Sequence, residues 1–198
     1  MPNGNGPTTK RIESLADSIF SFAMTILVLN LTIPHIAGNN IKDLLYHLLY
    51  VQANDVFSYF LSFFLLANFW IINHGHFIHI QRTNTKHLWI NIMILMFIVL
   101  IPFTTSLIDQ YPELQLSNIL FDLNMFIVGI LYYLDWAYAT HKHRLVDTSL
   151  TKESVILSKK RGLVIPLLSI VAIGLALPYP SYSTAIYLFA PILVSLIR

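Results

Sequence analysis

Apolar residues fall in long blocks along this chain, and polar residues gather in the short gaps between them. The blocks run from Leu15 to Ile33, Val56 to Ile80, Leu88 to Ile108, Leu116 to Ala139, Leu163 to Leu177 and Tyr182 to Ile197. A helix that crosses a bilayer needs roughly 20 apolar residues. The first four blocks reach that length or nearly so. The last two are shorter and are joined by "PYPS", a tight hairpin signal. Between the first and second blocks, Ile41, Leu44, Leu45, Leu48 and Leu49 recur at helical spacing in "IKDLLYHLLYV". That run is too short to cross and reads as an amphipathic helix at the interface, about 41–51. The expected fold class is all-α, a polytopic membrane protein with six transmembrane helices per subunit and both termini cytoplasmic. Residues 1–10, polar and rich in Gly and Pro, form an expected disordered leader. Residues 11–198 form the membrane domain, with a cytoplasmic loop at about 141–161.

Composition sharpens the class. Hydrophobic residues make up 56% of the 198 and charged residues only 11%, against about 25% charged in a soluble globule. Mean hydropathy is +0.64. The formal charge of +2 carries no basic stripe for nucleic acid, because Lys and Arg sit in the gaps. With no cysteine, disulfides, thiolate metal sites and cysteine nucleophiles are excluded.

Charge also orients the spans. With six crossings and the N-terminus inside, eleven of the twelve basic residues fall on the cytoplasmic side and Lys42 alone lies outside. The outer gaps carry Asp43, Asp55, Asp109 and Glu113, which would modestly enrich cations there.

Within this topology several polar residues share one depth. Asp17 lies six residues above Arg11, about 9 Å along a helix. In "FWIINHGHF", Trp70, Asn73, His74 and Phe77 share one helical face, and Asn91 and Asp135 fall at a similar level. Ionisable groups in lipid pair with each other or face water. Three readings follow: hydrogen bonds that cross-link the first three spans, a proton relay through Asp17 and His74, or a layer that moves as a unit in gating. A metal reading of His74, His76 and His79 is disfavoured, since helix geometry sends His74 and His76 roughly 200° apart. "HKH" at 141–143 lies in the loop and reads as solvated.

On the first helix, Ser18, Phe22, Thr25, Leu29 and Thr32 form one stripe, and Asp17 is turned roughly 140° from Phe22. One face can dock on neighbours while the other meets a partner or an axis; ordinary helix packing is the plainer alternative.

These residues carry a resemblance. "RIESLADSIFSFAMTILVL" resembles the first-helix signature Arg-x-x-x-Phe-Ser-Asp of the transmembrane protein 175 family, with Arg11 and Asp17 matching and Leu15 and Ala16 replacing the middle pair. "FWIINHGHF" is similar to that family's Tyr/Phe-Trp-x-x-His-His-x-x-Phe, with Asn73 in place of the first histidine. Asn91, Pro102, Phe103 and Thr105 resemble its third-helix pattern. The resemblance implies a prokaryotic member of a family of lysosomal-type potassium channels: a homotetramer in the cell membrane whose first helices line a central cation pathway. Pore-facing residues would be Phe22, Thr25, Ile26 and Leu29, with Ser18 on the same stripe. Arg11, Asp17, Trp70, Asn73, His74 and Asn91 would form the anchoring polar network. Phe22 stands where relatives usually carry Leu or Ile at the narrowest ring, and Asn30 where many carry a carboxylate.

No "TVGYG" carbonyl filter occurs, so conduction would pass side chains. Rings of Phe22, Ile26 or Leu29 would exclude water when narrow, and Thr25 hydroxyls would replace part of a cation's hydration. The expected function is a cation channel with moderate preference for potassium over sodium, potassium being the permeant ion and no cofactor or metal being needed. The rival is a proton-coupled cation transporter or proton channel using Asp17 and His74. A membrane enzyme is disfavoured, since neither Gly-x-Ser-x-Gly nor His-Glu-x-x-His occurs. The expected partners are further copies of the chain and the bilayer, without nucleic acid.

Overall fold

The computed structural model describes residues 9–31, 41–46, 50 and 52–197. Its elements are helical: α1 (Thr9–Leu29), α2 (Ile41–Tyr46), α3 (Ala53–His79), α4 (Thr85–Gln110), α5 (Gln115–Thr140), α6 (Lys152–Gly162), α7 (Val164–Ala176), α8 (Pro180–Ser183) and α9 (Ala190–Leu196). Short 3₁₀ turns occupy His141–His143 and Thr184–Phe189. The leader expected at 1–10 lies almost wholly outside the described residues, as do Thr32 and much of the interfacial run. Of that run α2 is described, with Ile41, Leu44 and Leu45 exposed.

Among the described residues, α1, α3, α4 and α5 are long and apolar enough to cross a bilayer. The fifth and sixth apolar blocks do not form helices of that length. α7 has 13 residues, about 20 Å at 1.5 Å each, against a hydrocarbon core of about 30 Å. The last block is split into α8, a 3₁₀ turn and α9. Pro180 and Pro191, which lack an N–H, each stand in the first turn of a new helix there.

Packing is sequential and tight. α1 lies against α3 and α4, α4 against α5, and α5 against α7. Apolar burial does little to join helices in lipid, which is as apolar as leucine; close contact and interhelical hydrogen bonds do the joining. The buried stripe of α1 is Ile12, Ala16, Phe20, Ala23 and Leu27, and its two alanines let the neighbouring backbones approach. Gly129 of α5 shows the same need more sharply. A Cβ built there would stand 2.6 Å from Pro166 of α7, so the contact between these helices requires glycine.

α4 contains Pro102. Its missing N–H leaves the Ile98 carbonyl without its helical partner and loosens the turn. Two asparagines brace this region. Asn30 Nδ2 donates to the Pro102 carbonyl at 3.0 Å, and Asn124 Nδ2 donates to the Phe97 carbonyl at 3.2 Å. Between α3 and α4, the hydroxyls of Ser62 and Thr105 meet at 2.7 Å. Thr105 gives its proton to Ile101 O, so Ser62 is the donor.

The expected loop at 141–161 contains α6. Its first turn is capped by Thr151, whose Oγ1 accepts from Ser154 N at 3.2 Å, and its last turn carries Lys159, Lys160 and Arg161. The strand-like connection before it docks on the end of α3 through an Ile80–Val146 bridge and through Gln81 Nε2, which donates to Asp147 Oδ2 at 2.9 Å. Asp147 is held below the ordinary carboxylate range, first by the Ser149 backbone N–H.

Candidate functional site: the first helix and its polar anchors

α1 has two unlike faces. The stripe Ile12–Leu27 is buried against α3 and α4, whereas Phe22 and Leu29 are 72% and 75% exposed. Thr25, Ile26 and Ser18 are exposed too. Thus all five residues assigned to the pore stripe lie on the side of α1 that the other described residues of the chain leave uncovered.

The hydroxyls on this helix share one geometry. Ser18 donates to Ser14 O at 2.8 Å, Ser21 to Asp17 O at 2.8 Å, and Thr25 to Ser21 O at 2.7 Å. Each proton is committed to the helix backbone four residues back. The oxygen therefore presents only lone pairs to its surroundings. A face built this way can accept from water or coordinate a cation, and offers no donor to an anion.

At the foot of α1, Trp70 of α3 donates its indole N–H to Asp17 Oδ1 at 2.9 Å. The same indole stacks on the His74 ring, with centroids 5.7 Å apart and planes 16° apart. Asp17, Trp70 and His74 are therefore one assembly. Asn73 is buried on the adjoining face of α3. Arg11 is exposed on the first turn of α1, and no carboxylate lies within 4.0 Å of it among the described residues.

Asn91 belongs to a second, deeper group. Its Nδ2 donates to Asp135 Oδ1 at 3.0 Å and to the His87 carbonyl at 3.0 Å. Asp135 also lies 3.4 Å from His76 Nδ1 and 3.2 Å from His87 Nε2. His76 in turn stacks on Trp136 at 4.5 Å. All four polar residues are buried, and together they tie α3, α4 and α5. The sequence reading placed Asn91 and Asp135 at one depth but missed His76 and His87 as their partners. The available signal was the four-residue spacing of His87 and Asn91, which sets both on one face of α4.

A third buried group was also missed. The Tyr187 hydroxyl lies 3.0 Å from Asp122 Oδ1 and 3.1 Å from Ser169 Oγ. It fastens the turn before α9 to α5 and α7. The histidines once weighed as metal ligands diverge: His74 faces Trp70, while His76 faces Asp135. Among the described residues no cluster of three or more His, Cys, Asp or Glu has the arrangement of a metal site.

The profile of the family described as endosomal/lysosomal potassium channel TMEM175 matches residues 11–102, which contain the first two sequence motifs and the third as far as Pro102. A potassium channel of Streptomyces collinus is 25% identical over 141 residues, covering 69% of this chain and 67% of that protein. The human endosomal/lysosomal proton channel TMEM175 is 23% identical over 146 residues, 74% of this chain but 29% of the human protein. The fold matches the crystal structure of a lysosomal potassium-selective channel TMEM175 homolog from Chamaesiphon minutus. The TM-score is 0.79 at 23% identity, over 95% of this chain and 96% of that one.

Proposed function

We propose that the chain is a member of the transmembrane protein 175 family, whose profile matches residues 11–102, and a cation channel of the cell membrane that prefers potassium to sodium moderately. Four copies surround a central pore, and each contributes the exposed stripe of α1. Phe22, Ile26 and Leu29 form the hydrophobic constriction, with Thr25 and Ser18 as polar rings between and below. In this arrangement the short α7 and the α8–α9 segment complete the fifth and sixth passages through the membrane, and both termini are cytoplasmic.

The observation that carries this reading is the pairing of an uncovered apolar stripe with hydroxyls whose protons are already spent. A ring of Phe22 or Leu29 side chains excludes water when narrow, and so bars ions. When the ring widens, Thr25 oxygens offer lone pairs to a partly dehydrated cation. Potassium sheds water more readily than sodium, so such a ring favours potassium without rigid selection. Asp17 and Trp70 hold the foot of α1 on α3, away from the axis.

Substitution Thr25→Ala tests the proposal. Under bi-ionic potassium and sodium gradients in planar bilayers, the reversal potential is expected to move towards zero. An unchanged reversal potential with intact conductance would remove Thr25 from the selective path.

The proton-transfer alternative finds less support in the geometry. Asp17 and His74 communicate through Trp70, and an indole N–H donates but cannot accept. A proton therefore cannot hop along that trio by successive exchange.

A further inference from the structure

On the side of α3 away from α1, a cavity of about 320 Å³ opens between α3, α5, α6 and α7. It is continuous with a groove that runs between α3 and α9, the two sharing Asn68, Ile71, Arg161 and Val194. At its mouth stand Lys159 and Arg161 from the last turn of α6, with His79 of α3 beside them. Further along, the walls are apolar: Ile71 and Phe64 on one side, Val194 and Pro191 on the other. From His79 to Phe64 is fifteen residues of helix, about 22 Å, so the groove runs lengthwise along a membrane-crossing helix.

The charge at the mouth is unbalanced. No Asp or Glu lines either the cavity or the groove. Among the described residues no carboxylate lies within 4.0 Å of Lys159 or Arg161. Arg161 gives its Nε and Nη2 protons to the Ile197 carbonyl, which fixes the guanidinium beside the groove without neutralising it. Two glycines, Gly75 and Gly162, line the cavity, and a Cβ at either would meet nothing within 4 Å. The space is real and is not closed by neighbouring side chains.

We propose that this cavity and groove hold one anionic phospholipid, its phosphate at Lys159 and Arg161 and an acyl chain lying between α3 and α9. Basic pockets between membrane helices on the cytoplasmic side recognise anionic head groups in this way. A chain of methylenes parallel to α3 matches the apolar walls, whereas a soluble anion would leave them exposed. The lipid would then serve as the packing partner that the short α9 does not supply along α3.

Native mass spectrometry of the full chain, purified in detergent and supplied with dioleoyl phosphatidylglycerol or dioleoyl phosphatidylcholine, tests this. The wild type is expected to retain phosphatidylglycerol at least fivefold more than phosphatidylcholine. Lys159→Gln combined with Arg161→Gln should abolish that preference. Because Arg161 also holds Ile197, Gly75→Leu provides an independent variant, which fills the cavity while keeping both charges and should reduce retention of the anionic lipid by a similar factor. Equal retention of the two lipids by the wild type would overturn the proposal. So would displacement of phosphatidylglycerol by millimolar inorganic phosphate, which would mark a phosphate site, or a Phe64→Cys cross-link to a second copy through the groove.

Discussion

Asp17 and Trp70 are 53 positions apart in sequence and meet through a 2.9 Å hydrogen bond from the indole to the carboxylate. The bond joins the foot of α1 to α3, and stacking on His74 fixes the plane of the donor. An acid at the base of an apolar helix therefore has a structural use that needs no proton transfer.

Replacing Asp17 with Ala should remove this tie and lower stability by about 1–2 kcal/mol. Asp17→Asn retains an oxygen at the same place and should recover part of the loss. Thermal unfolding followed by fluorescence-detected size exclusion will measure both. Equal melting temperatures for the Ala variant and the wild type would show that the tie is idle.

Asp135 should matter more, because it is buried and shared by His76, His87 and Asn91. Its loss leaves several polar groups without a partner away from water. Asp135→Leu is expected to cost about 3 kcal/mol or more, visible as poor recovery of folded protein. A double-mutant cycle with His87→Leu should show strong coupling, the pair costing clearly less than the sum of the single changes.

The contact of Gly129 with Pro166 gives a prediction of pure sterics. A single added methyl would meet the proline ring at 2.6 Å. Gly129→Ala should destabilise by about 1–3 kcal/mol, as overpacking does. Gly174→Ala is the matched control, since its added Cβ meets nothing within 4 Å.

The exposed ring at Phe22 leads to a functional expectation. If four such side chains narrow the pore, Phe22→Ala should widen and wet it, and potassium flux into liposomes should rise severalfold. Flux that is unchanged while protein incorporation is equal would place the constriction elsewhere on α1.

Much of this was legible because lipid simplifies the code. Long apolar runs have one common outcome there, and α1, α3, α4 and α5 follow their blocks closely. The blocks after Leu163 were legible as apolar but not as helices of a given length, since Pro180 and Pro191 restart the backbone within the last one. α6 was missed although Thr151 before it, Glu153 in its first turn, and Lys159 to Arg161 in its last are ordinary helix-end signals. Its low hydropathy had marked the region as loop. On α1, helical spacing grouped Ser18, Phe22, Thr25 and Leu29 on one stripe, but which stripe the rest of the chain buries was not legible from spacing. The partners of Asp135 were another matter. His76, His87 and Asp135 come from three helices, and only the way those helices pack brings them together.

Asn30 ties the far end of α1 to Pro102 of α4, while Asp17 ties the near end to Trp70 of α3. A rod held at two levels by different neighbours cannot spin about its own long axis without breaking both bonds. If α1 lines the proposed pore, a change in its bore requires α1, α3 and α4 to lean together as one block. Exposed side chains such as Phe22 and Leu29 take no part in either bond, whereas rotation of the rod itself would break both.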